Sequence, residues 1–218
     1  MNSKTIMIID PSLKTPEIES YNKLALKSPV KTSYHLPVIH NTKSMIESMN
    51  NIFGIILLGS AASVNEDFDW MKDIELVLQK AIKNKIPILG ICFGHQFIGK
   101  IFGGKIDFLW GSKKKVGIRK VKINSNSLLQ DSWEDYLIYS HNEGVVSCPK
   151  NFSIFGSSKM VEIEAMSHNY LPIWSFQSHI EASKNFAERI GVNQKDFEKI
   201  IPLSDRLIDA FFRKISGC

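Results

Sequence analysis

Short apolar segments that alternate with helical patterns constrain the fold of this chain more than any other feature. Three segments, Thr5–Asp10, Ile52–Leu58 and Lys85–Ile91, have the length and the aliphatic composition of buried strands. Asp67–Lys83 places its apolar side chains on one helical face, and Phe93–Phe102 is predicted to be a further helix. Strands and helices in this alternation form a parallel sheet that is covered on both faces. The sequence therefore predicts the α/β class, as a three-layer αβα sandwich with a mostly parallel central sheet.

The length of 218 residues favours one large domain over residues 1–218. The composition, 44% hydrophobic and 22% charged, is that of a globular protein and excludes collagen, coiled coil and disorder. No apolar segment approaches the roughly 20 residues that span a bilayer, and the N-terminus shows no signal-peptide pattern. The three cysteines, Cys92, Cys148 and Cys218, are too few for a disulfide framework. We therefore expect a cytoplasmic protein with free thiols and no membrane partner.

The remainder of the chain carries weaker signals. A helix is predicted around Ile18–Lys27, and the segment from Ala182 to Ser216 is expected to be mostly helical. That segment carries no motif, and it is interpreted either as a cover for a sheet edge or as a homodimer surface. Turns are predicted at Gly111 and Gly117. Further short strands are predicted within Lys105–Ile123, Tyr136–Tyr139, Val145–Ser147, Phe152–Ser157, Val161–Met166 and Ile173–Phe176.

The segment Ile88–Phe97, ILGICFGHQF, places Cys92 between a buried strand and a helix. A tight turn at such a junction forces one side chain out at the top of a sheet, as in the nucleophile elbow of hydrolases. Gly90 and Gly94 flank the cysteine, where a Cβ would crowd the turn. The N-terminus of the following helix favours a thiolate and offers N–H donors to an oxyanion. Most free cysteines are buried core residues, but this frame favours Cys92 as a nucleophile.

A cysteine nucleophile needs a base, and the base needs a group that orients it. Among the six histidines, His179 follows an apolar strand and precedes Glu181 by two residues, so one hydrogen bond can hold its tautomer. Without Cys92 in the same chain, a surface histidine beside a helix-capping glutamate would be the simpler interpretation. His95, on the helix after the cysteine, is interpreted as an exposed or packing residue. The histidines assigned to isolated polar loops are His35, His40 and His168.

Four blocks of this sequence, in family order, resemble the class I, triad-type glutamine amidotransferase family. Gly90–Gln96 matches the family motif G-x-C-x-G-x-Q, and Gln177–Glu181 resembles Q-x-H-P-E with Ile180 in place of proline. Leu58–Ala61 resembles the G-G-P or G-S-P turn after the second buried strand, and Ser140–Glu143 resembles S-H-x-D with a glutamate at the end. The arrangement is similar to the amidotransferase half of GMP synthase as a stand-alone domain. The resemblance implies a flavodoxin-like fold.

The resemblance also implies roles for individual residues. It implies a catalytic triad of Cys92, His179 and Glu181. It implies an oxyanion hole made by the backbone N–H groups of Ser60 and Phe93, each of which would contribute roughly 3–4 kcal/mol. The side chain of the histidine in the S-H-x-D block is either a substrate ligand or a structural histidine, and both interpretations stay open. The implied glutamine-binding residues are Gly59, Gln96, His141, Asn142 and Glu143.

The expected reaction is hydrolysis of the glutamine side-chain amide through a cysteinyl thioester. The released ammonia would then pass to a synthetase on a separate chain, because no Walker-type phosphate loop is found here. Two alternatives stay open. One is a stand-alone hydrolase of γ-glutamyl peptides or amides with the same chemistry, and the other is a catalytically silent binding module.

The charge pattern does not indicate a nucleic-acid partner. The net charge is only +5, and no aromatic residues interleave with the basic stretch Lys113–Lys122 in the manner of a nucleic-acid surface. That stretch is interpreted as a solvated face or as a docking surface for an acidic partner. The histidines and cysteines lack metal-ligand spacing, so we expect no metal and no cofactor.

Overall fold

Eleven strands and six α-helices follow one another in residues 4–217, the part of the chain that the computed structural model describes. Cys218, one of the three predicted free thiols, lies outside the described residues. The strands are β1 (Thr5–Ile9), β2 (Lys31–His35), β3 (Ile52–Leu57), β4 (Ile88–Ile91), β5 (Lys105–Phe108), β6 (Lys115–Ile123), β7 (Trp133–His141), β8 (Glu143–Ser147), β9 (Phe152–Ser158), β10 (Ala165–His168) and β11 (Ile173–Phe176). The helices are α1 (Ile18–Lys27), α2 (Lys43–Glu47), α3 (Asp69–Lys83), α4 (Phe93–Ile101), α5 (Lys184–Arg189) and α6 (Gln194–Ser216).

Nine of these strands form one sheet in the order β2-β1-β3-β4-β11-β10-β9-β6-β7. The strands from β2 to β11 in that order run parallel, and the other four continue the sheet in antiparallel pairs. β5 and β8 form a separate antiparallel pair. Because β3, β4 and β11 are parallel neighbours, their carboxyl ends lie at the same edge of the sheet. The segments after these three ends contain the predicted triad, the predicted oxyanion-hole residues, Gly59 and Gln96. The other predicted site residues, His141, Asn142 and Glu143, lie where β7 ends and β8 begins.

Helices cover both faces of the sheet. Alternate side chains of each strand point to opposite faces, so the same strand supplies apolar side chains to two separate cores. In β1, Ile8 packs in a core that includes Phe211 of α6. Its neighbour Met7 packs in a second core that includes Ile74 of α3. The amphipathic pattern of α3 is the reason that this helix lies flat on the sheet. The predicted α/β sandwich, with helices on both faces of a central sheet, is confirmed.

Local differences from the sequence-based expectations have physical explanations. β2 is a partly exposed strand at the edge of the sheet and has no apolar run. The pattern of buried strands in the sequence therefore did not predict it. The turn predicted at Gly117 is wrong, since Gly117 lies inside β6 with φ 128°. The C-terminal helical segment is interrupted at Gly191, where φ is 78°. α6 packs against β6 and the edge strand β7. No helix within residues 4–217 combines the length and apolarity needed to cross a bilayer.

Candidate active site

Cys92 occupies the sharp turn between β4 and α4. Its backbone has φ 52° and ψ −101°, a conformation that costs a residue with a side chain on the order of 1–3 kcal/mol. The turn is held on both sides: the Cys92 N–H donates to the carbonyl of Phe176 at 2.8 Å, and the Gln96 N–H donates to the carbonyl of Cys92 at 3.1 Å. A Cβ on Gly90 would lie 2.6 Å from the carbonyl oxygen of Gly94. The turn therefore requires the glycine that the sequence places there.

His179 and Glu181 follow β11, the parallel neighbour of β4. The Nδ1 atom of His179 lies 2.9 Å from Oε1 of Glu181, and both side chains are buried. The His179 N–H donates to the carbonyl of Ile138 at 2.9 Å, and the imidazole packs against Phe186 with ring centroids 4.5 Å apart. The imidazole also lies beside the side chain of Cys92, close enough for the sulfur to raise its pKa. The structure thus brings the three residues of the predicted triad into one contact chain.

The surroundings of His179 favour its protonated form. Burial by itself lowers the pKa of the imidazole, but the Cys92 sulfur and the Glu181 carboxylate raise it by more, and together they bring the pKa to about 10. The arrangement can therefore present a protonated imidazole, a proton donor, beside the sulfur.

The turn after β3 brings main chain close to both reactive side chains. A Cβ on Gly59 would lie 2.8 Å from Cε1 of His179 and 3.5 Å from the Cβ of Cys92. Ser60 is fixed by its own side chain, whose Oγ donates to the carbonyl of Pro11 at 2.7 Å and accepts from the N–H of Ala62 at 3.1 Å. Phe93 is the first residue of α4, so helix hydrogen bonding leaves its N–H unused.

Two adjacent cavities meet at this turn. The first, of about 330 Å³, contains Cys92 together with the predicted residues Ser60, Gln96, His141, Asn142 and Glu143. The second, of about 470 Å³, contains Gly59, His179 and Glu181. Both are lined by Ser60, Ala61, Lys114 and Ser140. A substrate in the first cavity would therefore meet the sulfur, and a group that leaves toward His179 would enter the second.

The backbone carbonyl of Glu143 organises the wall of the first cavity. It accepts hydrogen bonds from Nε2 of Gln96 and from Nδ1 of His141, each at 2.8 Å. The Glu143 carboxylate accepts from Oγ of Ser63, also at 2.8 Å. Ser63 was not predicted, because it lies two residues beyond the Leu58–Ala61 block. The wall is therefore a set of side chains that are oriented before any ligand arrives.

The histidine of the S-H-x-D block is held neutral. Burial lowers the pKa of His141 to about 4, although the bond to Glu143 opposes this shift, and the nearby guanidinium of Arg119 lowers the pKa further. Neutral His141 carries its proton on Nδ1, because this nitrogen faces a carbonyl. Its Nε2 atom faces the Arg119 guanidinium at 3.4 Å. The bond from His141 to the Glu143 carbonyl in the cavity wall therefore supports its interpretation as a structural histidine.

Two buried residues next to this wall, Arg119 and Gln177, were not predicted to belong to the site. Arg119 is buried and pairs with Glu164 at 2.6 Å, whereas its neighbour Lys120 is exposed. The interpretation of the basic stretch as a solvated face is therefore wrong for Arg119, since strand alternation turns it inward. Gln177 is fully buried, and its Nε2 atom lies 3.7 Å from the Cys92 sulfur. Its position in the Q-x-H-P-E block was the one available signal.

Two of the remaining histidines do not lie where the sequence suggested, whereas His95 agrees with its interpretation as a packing residue. His35 and His168 end strands and are buried, rather than standing in isolated loops. His95 is fully buried and packs under the site, with Nδ1 2.9 Å from Oγ of Ser175. Within the described residues, no three His, Cys, Asp or Glu side chains form a cluster suited to a metal ion.

The fold and the site together define a class of protein: an α/β protein with a cysteine at a strand–helix turn and a buried histidine–glutamate pair beside it. The sequence model of glutamine amidotransferase class I matches residues 17–191. The chain belongs to the class I glutamine amidotransferase family. The resemblance and the enzyme class expected from the sequence motifs are thereby confirmed at the level of the family.

Relatives and solved structures agree with this assignment. The chain is 35% identical to a subunit of glutamine-hydrolyzing GMP synthase from Methanococcus aeolicus, over 67% of this chain and 79% of that protein. It is 32% identical to the corresponding GMP synthase subunit of Pyrococcus abyssi, over 71% of this chain and 85% of that protein. A glutamine amidotransferase structure from Thermotoga maritima superposes with a TM-score of 0.77 at 16% identity, and covers 99% of both chains. This structural similarity shows the shared fold.

Proposed function

We propose that this chain hydrolyses the side-chain amide of glutamine and supplies ammonia to a synthetase on a separate chain. The observation that carries the proposal is the contact chain Cys92–His179–Glu181 at the junction of two cavities. Because the relatives are named as one subunit of GMP synthase, they support a separate synthetase partner. We further propose that residues 1–218 act as one domain and that the setting is cytoplasmic, where the thiol would stay reduced.

The proposed reaction assigns one step to each group. The Cys92 thiolate attacks the carboxamide carbon, and the negative charge that develops on oxygen is stabilised by the backbone N–H groups of Ser60 and Phe93. His179 gives its proton to the leaving nitrogen, the C–N bond breaks, and ammonia leaves a thioester behind. His179 then takes a proton from water, which attacks the thioester and releases glutamate and the thiolate. Glu181 orients the imidazole and stabilises its positive charge.

The first cavity suits the amino-acid end of glutamine. Its wall includes Gln96, Asn142 and Glu143, whose side-chain amides and carboxylate are of the right polarity for a carboxylate and an ammonium group. Gly59 lies on the other side of the reacting atoms, where main chain approaches the sulfur and the imidazole closely. These assignments make Gly59, Gln96, His141, Asn142 and Glu143 the proposed binding residues, with His141 acting through its bond to Glu143.

One observation favours a second candidate function, the hydrolysis of γ-glutamyl amides larger than glutamine. The second cavity, on the His179 side, measures about 470 Å³, whereas ammonia needs about the volume of one water molecule, roughly 30 Å³. The cavity is lined by Leu13, Phe186 and Ile190 as well as by Lys14 and Arg189. Such a cavity could hold an amine that carries an apolar side chain and a carboxylate. A synthetase docked over the same cavity would instead make it part of a path for ammonia.

The test is glutamate release from glutamine by the purified chain. Cys92→Ser is expected to lower turnover by a factor on the order of 10⁴ or more, because the nucleophile of a triad is lost. Cys148→Ser is the matched control, since Cys148 lies away from both cavities, and it should keep wild-type turnover. Glutamate release that survives in Cys92→Ser would contradict the proposal.

A substrate panel separates the two candidate functions. Glutamine and γ-glutamyl-leucine are offered to the chain alone and to the chain mixed with the synthetase of the same organism. Ammonia supply predicts that glutamine is preferred and that its turnover rises with the synthetase. A preference for γ-glutamyl-leucine that the synthetase does not alter would favour the second candidate.

A further inference from the structure

The amide of Gln177 lies between the Cys92 sulfur and the wall of the first cavity. Its side chain is fully buried, and its own N–H donates to the carbonyl of Glu164 at 2.8 Å. The side-chain Nε2 atom lies 3.7 Å from the sulfur, within hydrogen-bond distance for a sulfur acceptor. The side-chain Oε1 atom accepts from Nε2 of Gln96 at 3.2 Å. Both ends of the amide are therefore in contact, one with the nucleophile and one with the cavity wall.

A chain of hydrogen bonds sets which end of the Gln177 amide faces the sulfur. The backbone carbonyl of Glu143 can only accept, so the group 2.8 Å away must be the NH₂ of Gln96. The second hydrogen of that NH₂ points to Gln177, whose nearest atom must therefore be its oxygen. The NH₂ of Gln177 is left to face Cys92. A backbone group thus determines the direction of a donor two side chains away.

We propose that Gln177 is a further catalytic residue, which donates a hydrogen bond to the Cys92 sulfur whenever that sulfur carries negative charge. This proposal rests on the proposed role of Cys92 as the nucleophile. The sulfur is charged twice in the cycle, before it attacks the carboxamide and again when it leaves the thioester. An N–H donor fixed on the sulfur stabilises both states relative to the neutral thiol, because bonds to charged acceptors are the stronger ones. His179 serves the same sulfur as a proton donor and acceptor, so the two residues have separate tasks.

The thiolate is tested directly by alkylation, without glutamine. The rate of reaction of the full chain with iodoacetamide is measured against pH, and modified Cys92 is quantified by peptide mass spectrometry. In Gln177→Met, which keeps the length of the side chain but removes the donor, the midpoint pH of Cys92 alkylation should rise by about one unit. Alkylation of Cys148 in the same samples is the internal control and should not change. Gln79→Met, an exposed substitution on α3, should also leave the midpoint unchanged.

A double substitution tests the hydrogen-bond chain itself. Gln96→Met removes the group that orients Gln177, so it should raise the Cys92 midpoint by less than Gln177→Met does. The double variant Gln96→Met/Gln177→Met should shift no further than Gln177→Met alone, because the two residues act through one donor. If the midpoint shifts of the two single variants add in the double variant, Gln96 does not act by orienting Gln177, and the proposed hydrogen-bond chain is contradicted.

The outcome that overturns the proposal is an unchanged Cys92 midpoint in a Gln177→Met protein that unfolds at the wild-type temperature. If that variant does not fold, Gln177→Glu replaces it, since its carboxylate still accepts from Gln96 but repels a thiolate. It should raise the midpoint, and an unchanged midpoint there overturns the proposal equally. Wild-type protein that is alkylated normally but does not hydrolyse glutamine would contradict the proposed function alone.

Discussion

Single residues at the cysteine turn are held in positions that most side chains disfavour. Cys92 has a positive φ of 52°, and Gly59 packs its bare α-carbon against the imidazole of His179. The cost of this conformation is offset by the hydrogen bonds from the turn to Phe176 and Gln96. The residue scale is therefore where small changes of shape should have large effects on reactivity.

Gly59→Ala should disturb the reactive pair without removing any reactive group. The added Cβ would lie 2.8 Å from Cε1 of His179, so the imidazole or the turn must move. A displacement of this kind at the reacting atoms is expected to lower kcat for glutamine by a factor on the order of 100. Steady-state glutamate release measures the effect.

Gly54→Ala is the matched control for that substitution. Its Cβ would lie 2.5 Å from Cδ1 of Ile215 in the core, far from the cavities. It should lower the unfolding temperature but leave turnover per folded molecule unchanged. Equal losses of turnover in the two variants would show that the effect of Gly59→Ala comes from folding.

At the scale of elements, a buried ion pair joins β6 to the start of β10. Arg119 of β6 pairs with Glu164 at 2.6 Å, and its guanidinium lies over the ring of Tyr139 at 4.2 Å. Burial raises the pKa of the Glu164 carboxyl, and the positive charge of Arg119 opposes this shift. The two side chains thus hold each other in a region from which water is excluded.

Arg119→Met should therefore be strongly destabilising. It leaves the Glu164 carboxylate buried without its partner, and the free energy of unfolding is expected to fall by about 3–5 kcal/mol. Urea unfolding measures this change. Arg119→Met/Glu164→Gln, in which both charges are gone, should recover much of the loss.

Lys120→Met on the same strand is the control for that prediction. Lys120 pairs with Glu134 at 3.2 Å, but both side chains are more than half exposed, so its loss should change the free energy of unfolding by about 1 kcal/mol or less. If Arg119→Met/Glu164→Gln proves as unstable as Arg119→Met, the unpaired Glu164 carboxylate is not the cause of the lost stability.

At the scale of the whole molecule, buried neutral histidines make stability depend on pH. Burial lowers the pKa of His95 to about 3, and nearby His141 adds to this shift. Burial likewise lowers the pKa of His35 and of His168. In the unfolded chain these histidines take up protons near the ordinary histidine pKa of 6.5, while in the folded chain they do not.

The free energy of unfolding should therefore fall as the pH is lowered from about 6.5 toward 4, because protons bind preferentially to the unfolded chain. In His95→Asn, whose amide can still reach Oγ of Ser175, this fall should be clearly smaller. His40→Asn, at an exposed position, should retain the whole wild-type dependence. Urea unfolding at a series of pH values measures all three proteins, and equal slopes in wild type and His95→Asn would contradict the prediction.

Much of the fold and the reactive residues could be predicted because their signals are local. The strand, turn and helix around Cys92 occupy ten consecutive residues, and His179 and Glu181 are two residues apart, so spacing alone suggested an imidazole held by a carboxylate. The buried strands β1, β3 and β4 stood out by their aliphatic composition, and β11 was predicted as a short apolar strand. The edge strand β2 and the inward direction of the Arg119 side chain were not predicted, since neither has a local pattern that differs from a polar surface segment.

The sequence by itself determined the class of fold, the strand–helix turn that carries Cys92 and the histidine–glutamate spacing after β11. Only the tertiary structure decided that these parts meet. The parallel pairing of β4 with β11, with Ile91 opposite Phe176, brings Gln177 and the histidine to a cysteine that lies some 85 residues earlier. The direction of the Gln177 amide likewise depends on the carbonyl of Glu143, far from it in the chain. Local preferences set the elements, but contacts between distant residues depend on how the strands pair in the sheet.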